Sequence, residues 1–317
     1  MIRSLNAVRV TPLLRFALLS SAVLATGLVT SACGDDQAAG SSGKLNVVAT
    51  IAPTGALTKA VGGDLIELTV LAGSGVDPHE YELTVDGRKA IDRAKVIIRN
   101  GLEIDAFLDK AIGENKAKVV TVAEGLNLID GDEAEKKADP NAKDPHVWHD
   151  PLNDKAMVDV IAAALAKADS ANAAAYMANA TAYKAKLDET DRQVRALIDT
   201  IPAENRKLVT NHDAFGYFIR RYGLAFVGAV IPSQTTQAEP SAKDIAALVD
   251  LIRREKVKAI FAESSIDPKV ARQIAKDTGV KIVDDLYGDS LGEPGSGADT
   301  IDGLLLANAR KIVEALK

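Results

Sequence analysis

Ile66-Glu-Leu-Thr-Val-Leu71 runs into Ala72-Gly73-Ser74-Gly75-Val76 and then into Asp77-Pro78-His79. The first six letters are an apolar, β-branched strand, and the glycines mark a loop. A histidine therefore stands just past a strand end, where α/β proteins carry their ligands. Upstream, Leu45-Asn-Val-Val-Ala-Thr-Ile51 is another short β-branched run, followed by Pro53 and a helical segment that ends at Gly62-Gly63. Downstream, Arg88 to Ala94 reads as helix, Val96 to Asn100 as strand, Ile104 to Ile112 as amphipathic helix and Val119 to Val122 as strand. Strand alternating with helix implies a parallel sheet.

The second half repeats this pattern. Strand Leu208–Thr210 delivers His212, and helix Phe215 to Arg221 follows. Strand Ala225–Ile231 leads into a polar loop, Ser233 to Pro240, and then helix Ala242–Glu255 with Ser241 as its N-cap. Strand Ala259–Phe261 ends in Glu263-Ser264-Ser265, helix Pro268–Thr278 closes at Gly279, and strand Lys281–Val283 runs into Asp284 to Asp289. A glycine-rich loop, Gly292 to Gly297, precedes a final helix, Ile301 to Leu316.

Between the halves, Leu152 to Ala168 and Ala171 to Thr200 read as helices, with Asp169-Ser170 as the break and N-cap. At about 1.5 Å per residue the second would span about 45 Å, enough to bridge two lobes. The expected fold is α/β: two β/α lobes with parallel-rich sheets, joined by one long rigid helix. The segments are an N-terminal lobe over 45–168, a linking helix over 169–201 and a C-terminal lobe over 202–317. Asp130 to Asp144, rich in Asp, Glu, Lys and Ala, reads as an exposed, mobile loop.

Residues 1–32 carry Arg3, Arg9 and Arg15, an apolar run from Phe16 to Val29 and small residues before Cys33. This is the pattern of an export signal. Cys33 is the one cysteine, so no internal disulfide can form. Following Ser31-Ala32 it resembles a lipoprotein cleavage site, at which the sulfur receives a diacylglycerol; the alternative is an ordinary secretory signal with an incidental cysteine. Residues 33–44 are a flexible tether. The formal charge of −6 becomes −6 − 3 = −9 once the three arginines of 1–32 are removed. An acidic chain is compatible with cations and argues against nucleic acid. Hydrophobic residues at 47% and charged residues at 26% are those of a folded, soluble chain.

Histidine is scarce. All four lie in polar, turn-rich motifs: His79 in Asp77-Pro-His79, His146 and His149 in Asp144-Pro-His-Val-Trp-His-Asp-Pro151, and His212 in Val209-Thr-Asn-His-Asp213. His79, His146, His212 and Asp289 are separated by 67, 66 and 77 residues, one per supersecondary block and two per lobe. Three imidazoles and a carboxylate suit a borderline ion such as zinc. The aspartate of each Asp-Pro-His is placed to bond a backbone amide or to orient the imidazole. A loop histidine is often merely solvated, and an acid after a strand often caps the next helix; it is the joint placement that argues for a site in the interlobe cleft. His149 is a flanking residue, a transient ligand during loading, or a replacement for His146. Glu263 is a possible auxiliary residue, and Trp148 reads as packing beneath the site.

These segments resemble the metal-binding lipoproteins of bacterial ATP-binding-cassette importers of zinc and manganese, the cluster A-I solute-binding proteins. The resemblance covers essentially the whole mature chain. It runs through Gly75 to Glu82, Asn100-Gly-Leu-Glu103, Asp144 to Trp148, Asp150-Pro151, Asn211 to Phe215, Glu239-Pro-Ser241, Phe261 to Ser264 and Leu286 to Leu291. It implies His79, His146, His212 and Asp289 as metal ligands, zinc as the transported ion with manganese next and ferrous iron a minor option, and a membrane permease as partner. It also implies a monomer held outside the cytoplasm by a lipid on Cys33. Two departures stand out: the segment 130–144 lacks the histidine-rich loop of many zinc members, and the family commonly has a non-ligating residue where His149 stands. No His-Glu-x-x-His pair or Gly-x-Ser-x-Gly elbow is present, so an enzyme is not expected. The alternative functions are a surface adhesin with incidental metal binding and a secreted metal-dependent hydrolase.

Overall fold

The computed structural model describes residues 43–317; the signal, most of the tether and Cys33 lie outside them. The first half contains β1 (Leu45–Ile51), α1 (Ala52–Gly62), β2 (Ile66–Ala72), α2 (Val85–Arg93), β3 (Val96–Arg99), α3 (Asp109–Ile112), β4 (Val119–Thr121) and α4 (Glu133–Ala138). Two helices follow, α5 (Pro151–Ala168) and α6 (Ala173–Ile198). The second half holds β5 (Lys207–Thr210), α7 (Gly216–Tyr222), β6 (Ala225–Ala229), α8 (Ala242–Glu255), β7 (Ala259–Glu263), α9 (Lys269–Thr278), β8 (Lys281–Leu286) and α10 (Ile301–Leu316). All strand pairs are parallel and form two four-stranded sheets with the same order, β2-β1-β3-β4 and β6-β5-β7-β8. In each sheet the chain switches direction beside its first strand, and ligand sites form past the strand ends at such a crevice.

Period-two alternation assigns the faces. In β1, Val47, Ala49 and Ile51 join a core shared by both halves, whereas Val48 turns to a separate cluster with Leu71, Ile91, Ile97 and Leu108. In β7, Ala259 and Phe261 join the same shared core, while Ile260 and Ala262 pack with Leu248, Ile252 and Ile274 beneath α8 and α9. The two sheets thus contribute their inner faces to one continuous apolar core, with an outer cluster on each side.

α6 belongs to that core through Tyr176, Ala180, Tyr183, Leu187, Val194 and Ile198. It holds to α1 by Asn179 Nδ2 donating to the Val61 carbonyl at 2.9 Å and to α10 by Tyr183 Oη donating to Asp302 at 2.9 Å. Near its other end Arg195 lies over the Tyr222 ring. Its 26 residues give a span of about 39 Å, shorter than expected, because Ser170–Asn172 form a 3₁₀ turn and the Asp169 carboxylate is engaged by Asn172 and Tyr176.

Two other segments differ from expectation. The helix expected over Ile104–Ile112 is a 3₁₀ turn, Ala106–Leu108, followed by the single turn of α3. Just upstream, Gly101, Leu102 and Glu103 all have left-handed backbones, with φ of 88°, 57° and 68°. The segment 130–144 is not a free loop. Asp130 bridges Lys143, and Asp132 caps α4 through Oδ1, which accepts from Ala134 N at 2.7 Å and Glu135 N at 2.8 Å. No helix among the described residues is long and apolar enough to cross a membrane.

Candidate metal centre

The four sequence-selected side chains reach one point, three of them from beyond a strand end and His146 from the turn that follows the 130–144 segment. His79 follows β2 after a loop in which Asp77 Oδ1 accepts from the His79 amide at 2.9 Å. His146 sits on the turn before a 3₁₀ segment, Val147–His149; Asp150 then caps α5 by accepting from Leu152 N, and Pro151 occupies the first helical turn, where its missing amide costs nothing. His212 stands two residues past β5, its carbonyl accepting from Thr210 Oγ1 at 2.6 Å. Asp289 stands three residues past β8, and Asn308 of α10 pins Tyr287 at both its amide and its carbonyl.

The structure brings these four together. One ligating atom from each lies within 4.8 Å of the others. The Asp289 carboxylate is 3.3 Å from His79 Nε2, 3.2 Å from His146 Nε2 and 3.3 Å from His212 Nε2. His146 Nε2 and His212 Nε2 are themselves 3.3 Å apart. A tetrahedron with metal–nitrogen bonds of about 2.05 Å has edges of about 3.3 Å, and the contacts of Asp289 Oδ2 with His79 and His212, of Asp289 Oδ1 with His146, and between His146 and His212 have the spacing of ligands that share one ion. His79 Nε2 and both Asp289 oxygens have no hydrogen-bond donor or acceptor in place, an arrangement that buried polar atoms rarely tolerate without a partner.

Behind the ligating nitrogens lie carboxylates. Asp144 Oδ1 is 2.8 Å from His146 Nδ1 and also accepts from the His146 amide at 2.9 Å. Glu263 Oε1 is 2.6 Å from His212 Nδ1. Such pairs fix which ring nitrogen carries the proton and leave Nε2 free to ligate. Glu263 therefore contributes no atom to the four-atom cluster; it orients His212 from the opposite side. Glycine at 288 is what admits it, since a Cβ there would lie 1.7 Å from Glu263 Oε2. The role of Asp144 was legible in Asp-Pro-His, whereas that of Glu263 had only one signal, a lone acid closing a buried apolar strand.

Charge follows the same geometry. Burial opposes protonation of His146, yet Asp289 and Asp144 overcome it and push its pKa up to about 10. His212 is likewise raised against burial by Glu263 and Asp289. Asp289 is held well below the usual carboxylate range, because His212 and His146 outweigh its burial. His149 behaves oppositely. Burial and then His146 lower it to about 3, so it is a neutral ring, 4.8 Å from Phe215 and 5.7 Å from Trp148 between centroids. It lies outside the four-atom cluster. Trp148 is fully buried beside His146 and donates from Nε1 to the Gly288 carbonyl at 2.9 Å, tying the second Asp-Pro-His to the loop that carries Asp289.

The left-handed run beside the site is anchored too. Asp105 accepts from Asn100 N at 2.7 Å and from Thr50 Oγ1 at 2.7 Å, and Asn100 Nδ2 donates to the Pro145 carbonyl at 3.1 Å. Gly101 is required twice over, by its φ and by Thr121, whose Cγ2 a Cβ would meet at 2.5 Å.

Comparison with known proteins gives the family. The family described as zinc-uptake complex component A, periplasmic, matches residues 47–315. The manganese-binding lipoprotein MntA of Bacillus subtilis is 35% identical over 94% of this chain and 99% of its own length. The iron ABC transporter substrate-binding lipoprotein MtsA of Streptococcus pyogenes is 31% identical over 95% of this chain and 98% of its own. Among solved structures, the periplasmic zinc-binding protein TroA of Treponema pallidum superposes with a TM-score of 0.80 at 32% identity, covering 86% of this chain and 99% of that one. With its paired parallel sheets and a histidine–aspartate cluster between them, the chain belongs to the zinc-uptake component A family of solute-binding proteins of ABC importers.

Proposed function

We propose that the protein captures a divalent transition metal outside the cytoplasm, zinc first and manganese next, through His79, His146, His212 and Asp289, and delivers it to an ABC-type permease. The observation that carries this reading is the set of 3.2–3.3 Å separations between Asp289 and three imidazole nitrogens. Four protein ligands complete a tetrahedral ion and leave no coordination position for a substrate, as transport without chemistry requires. Manganese favours octahedral, oxygen-rich surroundings, and a site with three fully buried ligands has little room for added water. The relatives' names divide among manganese, iron and zinc, and the three imidazoles support zinc as the first choice.

In this reading Cys33 carries the lipid, 33–44 is the tether, and the monomer works at the outer face of the membrane. Residues 45–168 and 202–317 act as lobes joined by 169–201. The continuous core between the sheets supports small, local rearrangement on binding rather than wide hinge closure.

The test is metal analysis of protein purified without added metal, followed by zinc–manganese competition. One equivalent of zinc per chain, displacing manganese, is expected. Preferential retention of manganese overturns the choice of ion, and loss of no binding in His212→Ala overturns the ligand set.

A further inference from the structure

We propose that the ion is exchanged through a single cavity beside His79, and that a polar clasp centred on Asp132 controls how fast it passes; this rests on the ligand set proposed above. His146, His212 and Asp289 are covered to within 1% of full burial, whereas the His79 side chain keeps 8% of its surface. A cavity of about 340 Å³ is lined by His79 and by none of the other three. Its walls come from both halves: Tyr81, Leu102 and Glu103 from the first, Thr235 and Gln237 from the second, with Glu135 of α4 among them. An ion reaching the site by this route meets His79 before any other ligand.

The same two wall segments are tied together by one carboxylate. Asp132 Oδ2 accepts from Ser233 Oγ at 3.0 Å and from Gln234 N at 2.8 Å, and the Asp132 amide donates to Gln234 Oε1 at 3.2 Å. Its other oxygen caps α4, so Asp132 joins the helix bearing Glu135 to the loop bearing Thr235 and Gln237. Gln237 Nε2 completes the closure by donating to the His79 carbonyl at 2.6 Å. Ser233 and Gln234 are buried, and burial strengthens bonds to a charged acceptor. Widening the cavity requires these bonds to part, while none of them touches a ligating atom. A clasp of this kind changes the rates of capture and release together and leaves their ratio alone.

The experiment uses the full mature chain loaded with zinc and mixed rapidly with excess chromogenic chelator, with uptake measured separately on metal-stripped protein. The double variant Ser233→Ala/Gln234→Ala removes two of the three clasp bonds, those of the Ser233 hydroxyl and the Gln234 side-chain carbonyl, leaves the Gln234 backbone amide on Asp132, and spares the cap of α4. It is expected to release zinc about tenfold faster, the factor that about 1.4 kcal/mol represents, with uptake accelerated in parallel and Kd within threefold of wild type. Thr235→Trp, which fills the cavity, is expected to slow both directions. Release within twofold of wild type in both variants, with zinc still bound at unchanged Kd, overturns the clasp and leaves the ligand set standing. So does faster release matched by an equal rise in Kd, since the bonds would then hold the loaded state rather than gate it. Wild-type protein that binds no zinc overturns both proposals.

Discussion

Replacing Glu263 with glutamine tests whether the site is built in two shells. Glu263 Oε1 is 2.6 Å from His212 Nδ1, both side chains are fully buried, and Oε2 has no partner. Glutamine has the same shape, so it can still accept from Nδ1–H, but it cannot supply the charge that makes the bond strong and the imidazole basic. A hydrogen bond to a charged group contributes about 1.5–3 kcal/mol against about 1 for a neutral one. The difference of about 1–2 kcal/mol corresponds to a loss of about 5- to 30-fold in zinc affinity, within the range of about 10- to 100-fold typical of residues that orient metal-bound histidines. The metal-free fold should not suffer equally, because burial raises the pKa of Glu263, a sign that the carboxylate is costly where it stands. Competition with a chelating indicator gives the affinity, and thermal unfolding of stripped protein gives the stability. Equal affinities within twofold, or a loss of affinity matched by collapse of the metal-free fold, would refute the orienting role.

His146→Ala should abolish tight binding, whereas His149→Ala should keep zinc affinity within about threefold while lowering the melting temperature, because it opens a hole against Phe215 and Trp148 at a cost of about 1–3 kcal/mol; calorimetry on both variants separates the roles. With its pKa lowered to about 3, His149 stabilises the fold above pH 6.5, and that contribution is lost as pH falls from 6.5 towards 3; His149→Phe should therefore flatten acid unfolding in this window, and an unchanged profile counts against it. His146, raised to about 10, has the opposite sign: its charged form stabilises the metal-free fold fully below pH 6.5, and this fades as pH climbs through about 10. Metal must displace that proton and the one on His212, so zinc affinity should rise as pH climbs towards 10, by up to about tenfold per pH unit for each proton expelled; titrations at several pH values that give one Kd would sink the argument. Gly288→Ala should cost at least as much affinity as Glu263→Gln, together with about 1–3 kcal/mol of stability from overpacking, because the new Cβ would sit 1.7 Å from Glu263 Oε2.

Much of this architecture was readable from the chain. Strands such as Leu45–Ile51 and helices such as Ala242–Glu255 are marked by β-branched runs, by Ser241 as cap and by Gly279 as stop, all local signals that the structure honours. The four clustered side chains were found because histidine is rare and each lies in a polar, turn-rich loop, although only His79, His212 and Asp289 follow a strand. What escaped depends on distant partners. Asp132 makes α4 ordered through Ser233 and Gln234, about a hundred residues away, and an Asp-Glu-Lys-Ala segment without that knowledge reads equally as loop. The helix expected over Ile104–Ile112 fails because Asp105 is committed to Asn100 and Thr50, holding the left-handed run that precedes it. Glu263 could be singled out as a possible auxiliary residue but not given its role, since its meaning lies in His212, 51 residues earlier.

On the proposed ligand set, the carboxylates around the three imidazoles give a physical basis for binding that is both tight and reversible. Asp144, Glu263 and Asp289 face His79, His146 and His212, all of them buried except for a small exposed part of His79. Buried negative charge of that density is costly unless something positive shares the space. Before the ion arrives, protons serve: His146 and His212 are both driven towards their charged forms, and Asp289 towards its own, each because the others are there. A divalent ion brings two positive charges and expels up to two protons, so the total charge of the buried cluster is nearly the same in both states. The core around it then has no electrostatic reason to rearrange, in keeping with two sheets that share one continuous apolar interior. Binding becomes an exchange of protons for metal within a fixed frame, and anything that returns protons or opens the His79 side shifts it towards release.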